Sequence, residues 1–319
     1  MPARTAPANG LPVESLHRAP DRDGAVSIDA TIAGWRYLSF QTRTLAAVER
    51  LTLPAGGWET AVVVLGGGGI QVTPEGSPAL VLDGRQSVWD GLPWAAYLPA
   101  GTAATITATP IVDHGSVDVA IASAPSSGRV GVSAAPLLIR PGDCTVETRG
   151  AGNASRQITH ILPPDFPADR LMVSETYTPG GNWSSWPPHK HDEDAMPQEA
   201  VLEETYSYRF RRPGEDWAIQ RVYRREGTPL HESSGPRDGM WVVRHGDTVI
   251  VSDGYHPFAT PQGVDAYYIN ALAGDRRTMA CSFDPDFDWI REEWPLMAVD
   301  PRVPMIDHAA ETGIRRPAR

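Results

Sequence analysis

Cysteine is nearly missing: the 319 residues contain two, Cys144 and Cys281, far apart and near no other obvious ligand. That excludes a disulfide framework and leaves too few sulfurs for a thiolate zinc site. Both read as buried structural thiols of a cytoplasmic chain. Long apolar runs are missing too. No stretch of about 20 apolar residues exists to span a bilayer. The opening MPARTAPANGLPVESLHRAP lacks the apolar centre of a signal peptide and reads as a mobile, proline-rich tail. Basic residues are few, 28 Lys and Arg against 39 Asp and Glu, and form no block. Nucleic acid is therefore an unsuitable partner, since its phosphates require a basic face. The net charge of −11 says little about a small substrate, because one local arginine overrides it.

Helical periodicity is the last absence, and it points to what is present. Glycine and proline stand at 30 each and punctuate short strand-like runs. One series includes Trp35–Thr42, Glu59–Leu65, Ala95–Leu98 and Val117–Ile121. After the breaks at Pro141–Gly142 and Gly150–Gly152 a second follows, with Gln157–Leu162, Leu171–Tyr177, Glu203–Phe210, Trp217–Tyr223, Thr248–Val251 and Ala266–Asn270. Many short strands at even spacing predict an all-β sandwich or barrel. The two series have similar rhythm, and Leu98-Pro-Ala-Gly101 is echoed by Val251-Ser-Asp-Gly254, each a tight turn after an apolar strand. These features predict a tail over residues 1–15, a first barrel over 16–150, a second over 151–300 and a solvated tail over 301–319 ending in Arg315, Arg316 and Arg319. Gly66–Gly69 reads as an unusually flexible turn. Of nine histidines only His114 falls between residues 18 and 159, so the second barrel is expected to carry the chemistry.

That chemistry centres on His189-Lys190-His191. Residues i and i+2 of a strand share a face, so the two imidazoles stand side by side and Lys190 points away. In Leu202–Phe210 the same parity groups Glu204, Tyr206, Tyr208 and Phe210 on an inward face, leaving Glu203 solvated on the other. Glu204 is then the better third ligand. His256, just after the turn that ends Thr248–Val251, is the fourth. Three imidazoles and a carboxylate suit one divalent ion (zinc, manganese or iron) with positions left for substrate. His160, His231 and His245 read as structural or surface residues.

This arrangement resembles the cupins, and more closely the 5-deoxy-glucuronate isomerases of myo-inositol catabolism. The resemblance rests on Tyr177-Thr-Pro-Gly-Gly-Asn-Trp-Ser-Ser-Trp-Pro-Pro-His-Lys-His-Asp192, Leu202-Glu-Glu-Thr-Tyr206, Gln220-Arg-Val-Tyr223, Gly254-Tyr-His-Pro257 and Tyr267-Tyr-Ile-Asn270. In the first half, Gly34-Trp-Arg-Tyr-Leu-Ser-Phe40 and Leu138-Ile-Arg-Pro-Gly142 fit as well. It implies a bicupin, two cupin barrels in one chain, with metal in the second only, held by His189, His191, Glu204 and His256. It implies aldose–ketose isomerisation of 5-deoxy-glucuronate to 5-dehydro-2-deoxy-gluconate. The substrate's carboxylate calls for a cation, for which Arg221 is the choice, with Tyr208 as a pocket wall or a plain core aromatic. The general base is left open among Glu204, Tyr206, Tyr208 and a metal-bound hydroxide. A metal-dependent dioxygenase and a non-catalytic sugar-binding cupin are the alternatives. Sheet edges and exposed tryptophans leave a homo-oligomer open.

Overall fold

The computed structural model describes residues 12–111 and 114–307. Most of the expected N-terminal tail, His308 and the three terminal arginines lie outside the described residues. Strands dominate, and the α-helices among the described residues are three short ones, Ala30–Ala33, Pro229–Ser234 and Ile290–Glu293. The fold is all-β, as the strand spacing predicts.

The strands form two sandwiches with one repeated topology. In the first, the larger sheet runs Leu137–Ile139, Ala95–Leu98, Trp58–Gly66, Ser116–Pro125, Ser39–Ala46, Val26–Ile28, and the smaller runs Arg50–Leu53, Ala104–Pro110, Gly68–Pro74, Leu80–Arg85. In the second, the larger sheet runs His17–Arg18, Thr248–Val251, Leu202–Phe210, Ala266–Gly274, Leu171–Thr178, Arg156–Leu162, Thr145–Arg149. Its smaller sheet runs Trp183–Ser184, Phe258–Ala259, Ala218–Tyr223, Asp238–Val243. The two orders match, except that Thr145–Arg149 adds a seventh strand to the second large sheet. The echoed turns occupy equivalent places, with Gly101 at φ 87° and Gly254 at φ 86°. The edge strands are exchanged: His17–Arg18, ahead of the first sandwich, pairs with Thr248–Val251 of the second, while Leu137–Ile139 pairs with Ala95–Leu98 of the first.

Alternation sorts the faces of each large sheet. Val62 and Val64 join Ile70, Val72 and Ile106 inside the first sandwich, whereas Ala61, Val63 and Leu65 join Val173, Ile269 and Ala271 in a core that crosses to the second. Leu202–Phe210 and Ala266–Gly274 are buried along their whole length, because one face lines the second sandwich and the other meets the first. Gly66–Gly69 is no loose turn. A Cβ at Gly67 would lie 2.2 Å from the Ser116 carbonyl oxygen, so the run is a close crossing of backbones. The described part of the segment expected as a C-terminal tail is packed: Ile306 is buried, and Gln157 Oε1 accepts from the backbone N–H groups of Met305 and Ile306 at 2.7 and 2.9 Å.

Two buried carboxylates clamp the sandwiches reciprocally. Glu59, second residue of its strand, accepts from the backbone N–H groups of Asp169, Arg170 and Leu171 at 2.6–2.7 Å and from the Tyr97 hydroxyl at 2.7 Å. Glu203, second residue of the equivalent strand, accepts from the N–H groups of Arg36, Tyr37 and Leu38 at 2.7–2.9 Å. The expectation that Glu203 is solvated is thus corrected: the sheet face opposite Glu204 is an internal one, and burial raises the Glu203 pKa. Replacing Glu59 by Ala strips three backbone donors of their partner, at about 1–3 kcal/mol each. Chemical denaturation of Glu59→Ala is expected to show a loss of at least about 3 kcal/mol, and a loss below about 0.5 kcal/mol, the scale of an inconsequential surface change, would contradict the clamp.

Candidate metal centre

Leu202–Phe210 delivers Glu204 into the second sandwich, opposite two loops. The first loop contains the two-residue strand His189–Lys190, which pairs with Ser282–Phe283. The second is the turn from Ser252 to His256. Glu204 Oε2 lies 2.9 Å from His191 Nε2 and 3.4 Å from His256 Nε2, and Glu204 Oε1 accepts from Asn270 Nδ2 at 2.8 Å. His191 Nδ1 is 2.9 Å from the Leu202 carbonyl oxygen, and His256 Nδ1 is 2.9 Å from that of Gly254. A carbonyl only accepts, so each Nδ1 donates and each Nε2 is left facing Glu204, the orientation that a metal-binding histidine takes. His256 Nε2 is buried and has no hydrogen-bond partner among the described residues. A polar atom orphaned in this way costs free energy unless something binds it. Donor atoms of His191, Glu204 and His256 all lie within 4.8 Å of one another. His189 stands beside this trio without belonging to it, its ring centroid 4.6 Å from that of His256 and 6.3 Å from that of His191.

Burial and the neighbouring charges of His256, His191 and Arg156 hold the His189 pKa well below its ordinary value. Burial pushes His256 down to about 4. Burial also acts to lower His191, but the Glu204 hydrogen bond and charge outweigh it and raise the pKa. Two neutral imidazoles and a carboxylate-bound third make a donor set suited to a divalent cation.

Lys190 turns away from the imidazoles, as parity predicts, and does structural work. Its Nζ donates to Asp192, Glu193 and Glu199 at 2.6–2.9 Å, so this cluster of three carboxylates holds an ammonium. Asp192 Oδ2 in turn accepts from the Gly254 N–H at 2.8 Å, tying the two histidine loops together. Gly254 has φ 86°, and a Cβ there would lie 2.6 Å from the Tyr223 carbonyl oxygen, so only glycine fits. Next to it, Arg224 and Arg237 both pair with buried Asp253.

His189, His191 and Glu204 open on a cavity of about 480 Å³. Arg149, Arg156, Trp186, Cys281, Phe283 and Arg291 are among its walls. Cys281, expected to be buried and structural, therefore reaches the cavity, with burial raising its pKa to about 11; Cys144 is buried. Arg221 is not brought to the site. In Ala218–Tyr223 the even positions Gln220 and Val222 face inward, and Arg221 lies outward, bonded through Nε and Nη2 to Asp238 at 2.8 Å each and stacked over Tyr223. Tyr208 is fully buried behind Tyr206, its hydroxyl donating to Gln220 Oε1 at 2.8 Å, and it lines neither this cavity nor the smaller one beside it. Sequence reasoning passed over Arg156. The strand was expected to begin at Gln157, but it begins one residue earlier, and parity then puts Arg156 on the face of Ile158 and His160.

The sequence pattern of the KduI/IolB family matches residues 14–290. The chain is 38% identical over 277 residues to the 5-deoxy-glucuronate isomerase of Geobacillus kaustophilus, covering 86% of this chain and 93% of that one. It is 35% identical over 280 residues to the enzyme of the same name from Geobacillus thermodenitrificans, covering 87% and 95%. Among solved structures, an IolB-like protein from Salmonella typhimurium LT2 is similar with a TM-score of 0.77 and 34% identity, covering 86% of this chain and 99% of that one.

The strut from Lys190 through Asp192 to Gly254 gives a test that leaves every candidate ligand in place. Asp192→Ala is expected to weaken zinc binding about 10- to 100-fold, the usual cost of losing a supporting contact behind metal ligands. Competition against a chromophoric chelator measures it, and unchanged affinity would show that the strut does not position the site.

Proposed function

Since this chain belongs to the KduI/IolB family, we propose that it is a metal-dependent aldose–ketose isomerase converting 5-deoxy-glucuronate to 5-dehydro-2-deoxy-gluconate. The observation that carries the metal is the orphaned His256 Nε2, buried and aimed at the same place as His191 Nε2 and Glu204 Oε2. His191, Glu204 and His256 hold the ion, with His189 completing the set from the cavity side. A divalent ion held there would supply Lewis acidity toward negative charge on the substrate oxygens.

The chain's own residues do the rest. The isomerisation moves a proton between adjacent carbons, which needs one acceptor beside the substrate. Burial, with the charges of Glu204 and neighbouring tyrosines, holds the pKa values of Tyr206 and Tyr208 well above the ordinary range. Both hydroxyls are therefore held toward the protonated form. Tyr206 shares a hydrogen bond of 2.7 Å with Ser185 Oγ and forms a wall of the smaller cavity. Glu204 is oriented as a ligand, its Oε1 held by Asn270 and its Oε2 facing His191. Trp186, Leu272 and Phe283 line the cavity and lower its polarity, which strengthens each charge interaction within it.

The assay is the direct one. Protein incubated with 5-deoxy-glucuronate is expected to produce a ketone carbonyl signal by carbon NMR. Removal of metal by chelation, verified by elemental analysis, is expected to lower the rate at least about 100-fold, and a divalent ion to restore it. Full turnover by metal-free protein, or none by metal-loaded protein, overturns the reading.

A further inference from the structure

Arg156 is a buried cation without an anion. It is 5% exposed, yet its only hydrogen bond among the described residues runs from Nη1 to the Ala154 carbonyl oxygen at 3.0 Å. No carboxylate among the described residues lies within ion-pair distance of it. Other buried arginines differ: Arg85 pairs with Glu175, and Arg224 and Arg237 pair with Asp253. Arg209 is also buried and unpaired, but it lines a separate cavity beside His245. Arg156 opens on the cavity that His189 and Glu204 line, and its charge is felt at His189. The Trp294 ring packs 5.7 Å from the guanidinium carbon. Arg149 faces it across the strand pair but is engaged with Glu147 through two bonds of 2.8 Å. Burial, and then the charge of Arg149, lower the Arg156 pKa to about 10. Desolvating a cation with no partner is costly, and proteins seldom retain one without use.

We propose that Arg156 receives the carboxylate of the sugar-acid substrate, the role that sequence reasoning gave to Arg221. A guanidinium and a carboxylate make two parallel hydrogen bonds, which fix the direction of the sugar as well as holding it. The carboxylate at Arg156 and the carbonyl end at the imidazoles would then define the two ends of the bound chain. This assignment rests on the isomerase reading for the identity of the substrate, while the need for an anion rests on the structure of the site.

Two variants, Arg156→Met and Arg156→Lys, test it in metal-loaded protein, with metal content checked by elemental analysis. Titration calorimetry with glucuronate and with glucose serves as a probe that needs no turnover. Wild-type protein is expected to bind glucuronate more tightly than glucose. Arg156→Met is expected to lose glucuronate affinity about 10- to 100-fold without change for glucose, and Arg156→Lys to lose less. KM for 5-deoxy-glucuronate is expected to rise more than kcat falls. Because the Met variant removes an unpaired buried charge, its Tm is expected to equal or exceed that of wild type. Equal glucuronate affinity in wild type and Arg156→Met, no preference for glucuronate over glucose in wild type, or a fall in Tm that accounts for the lost binding would each overturn the proposal. Selective glucuronate binding through Arg156 without turnover of 5-deoxy-glucuronate would instead sink the isomerase reading and leave this one standing.

Discussion

Glu204 and Glu203 are adjacent residues with opposite duties, and the two-residue period of Leu202–Phe210 separates them. Glu204 points into the second sandwich, where His191 and Asn270 hold its two oxygens. Glu203 points out of that sandwich into the backbone of the first, where three N–H groups hold it. Neither side of the strand is solvent. The carboxylate in the site is therefore positioned by the same strand that fixes one sandwich on the other. A slip of register by one residue would exchange the two carboxylates and undo both arrangements. The first sandwich, which contributes no cluster of metal-binding residues among the described ones, acts on the site through this shared strand.

Other polar contacts across the join are of the same kind. Glu59 mirrors Glu203 at the equivalent strand position, so the clamp is doubled by the repeat. Arg85 of the first sandwich pairs with Glu175 of the second, and Glu175 also accepts from the Tyr267 hydroxyl at 2.7 Å. Buried ion pairs add little net stability but penalise any arrangement that breaks them. Together with the exchanged edge strands, they specify how the halves sit more than they deepen the core.

The sequence makes the site partly legible. His189 and His191 flanking an outward Lys190 follow from strand parity, as does Glu204 facing inward, and the repeated topology follows from the spacing of the turns. What escapes is set by physics that parity does not carry. Alternation separates two faces but does not say which is wet, so Glu203 reads as solvated when its face meets the other sandwich. Arg221 has the chemistry for a carboxylate but the wrong parity; the inward residues of that strand are Gln220 and Val222. Arg156 escapes because it is the first residue of its strand, where the apolar run that marks the strand has not yet begun. The bonds that aim His191 and His256 come from the carbonyls of Leu202 and Gly254, and main-chain geometry leaves no mark in residue identity.

The central claim is that three imidazoles and Glu204 hold one divalent ion at the base of the cavity. X-ray absorption spectroscopy of the zinc-loaded protein in solution tests it most directly. Ligation by His189, His191, His256 and Glu204 predicts nitrogen and oxygen neighbours at about 2.0–2.2 Å, with the outer-shell scattering of three imidazoles. A sulfur scatterer at about 2.3 Å, which would place the ion at Cys281, or fewer than three imidazoles, would contradict it.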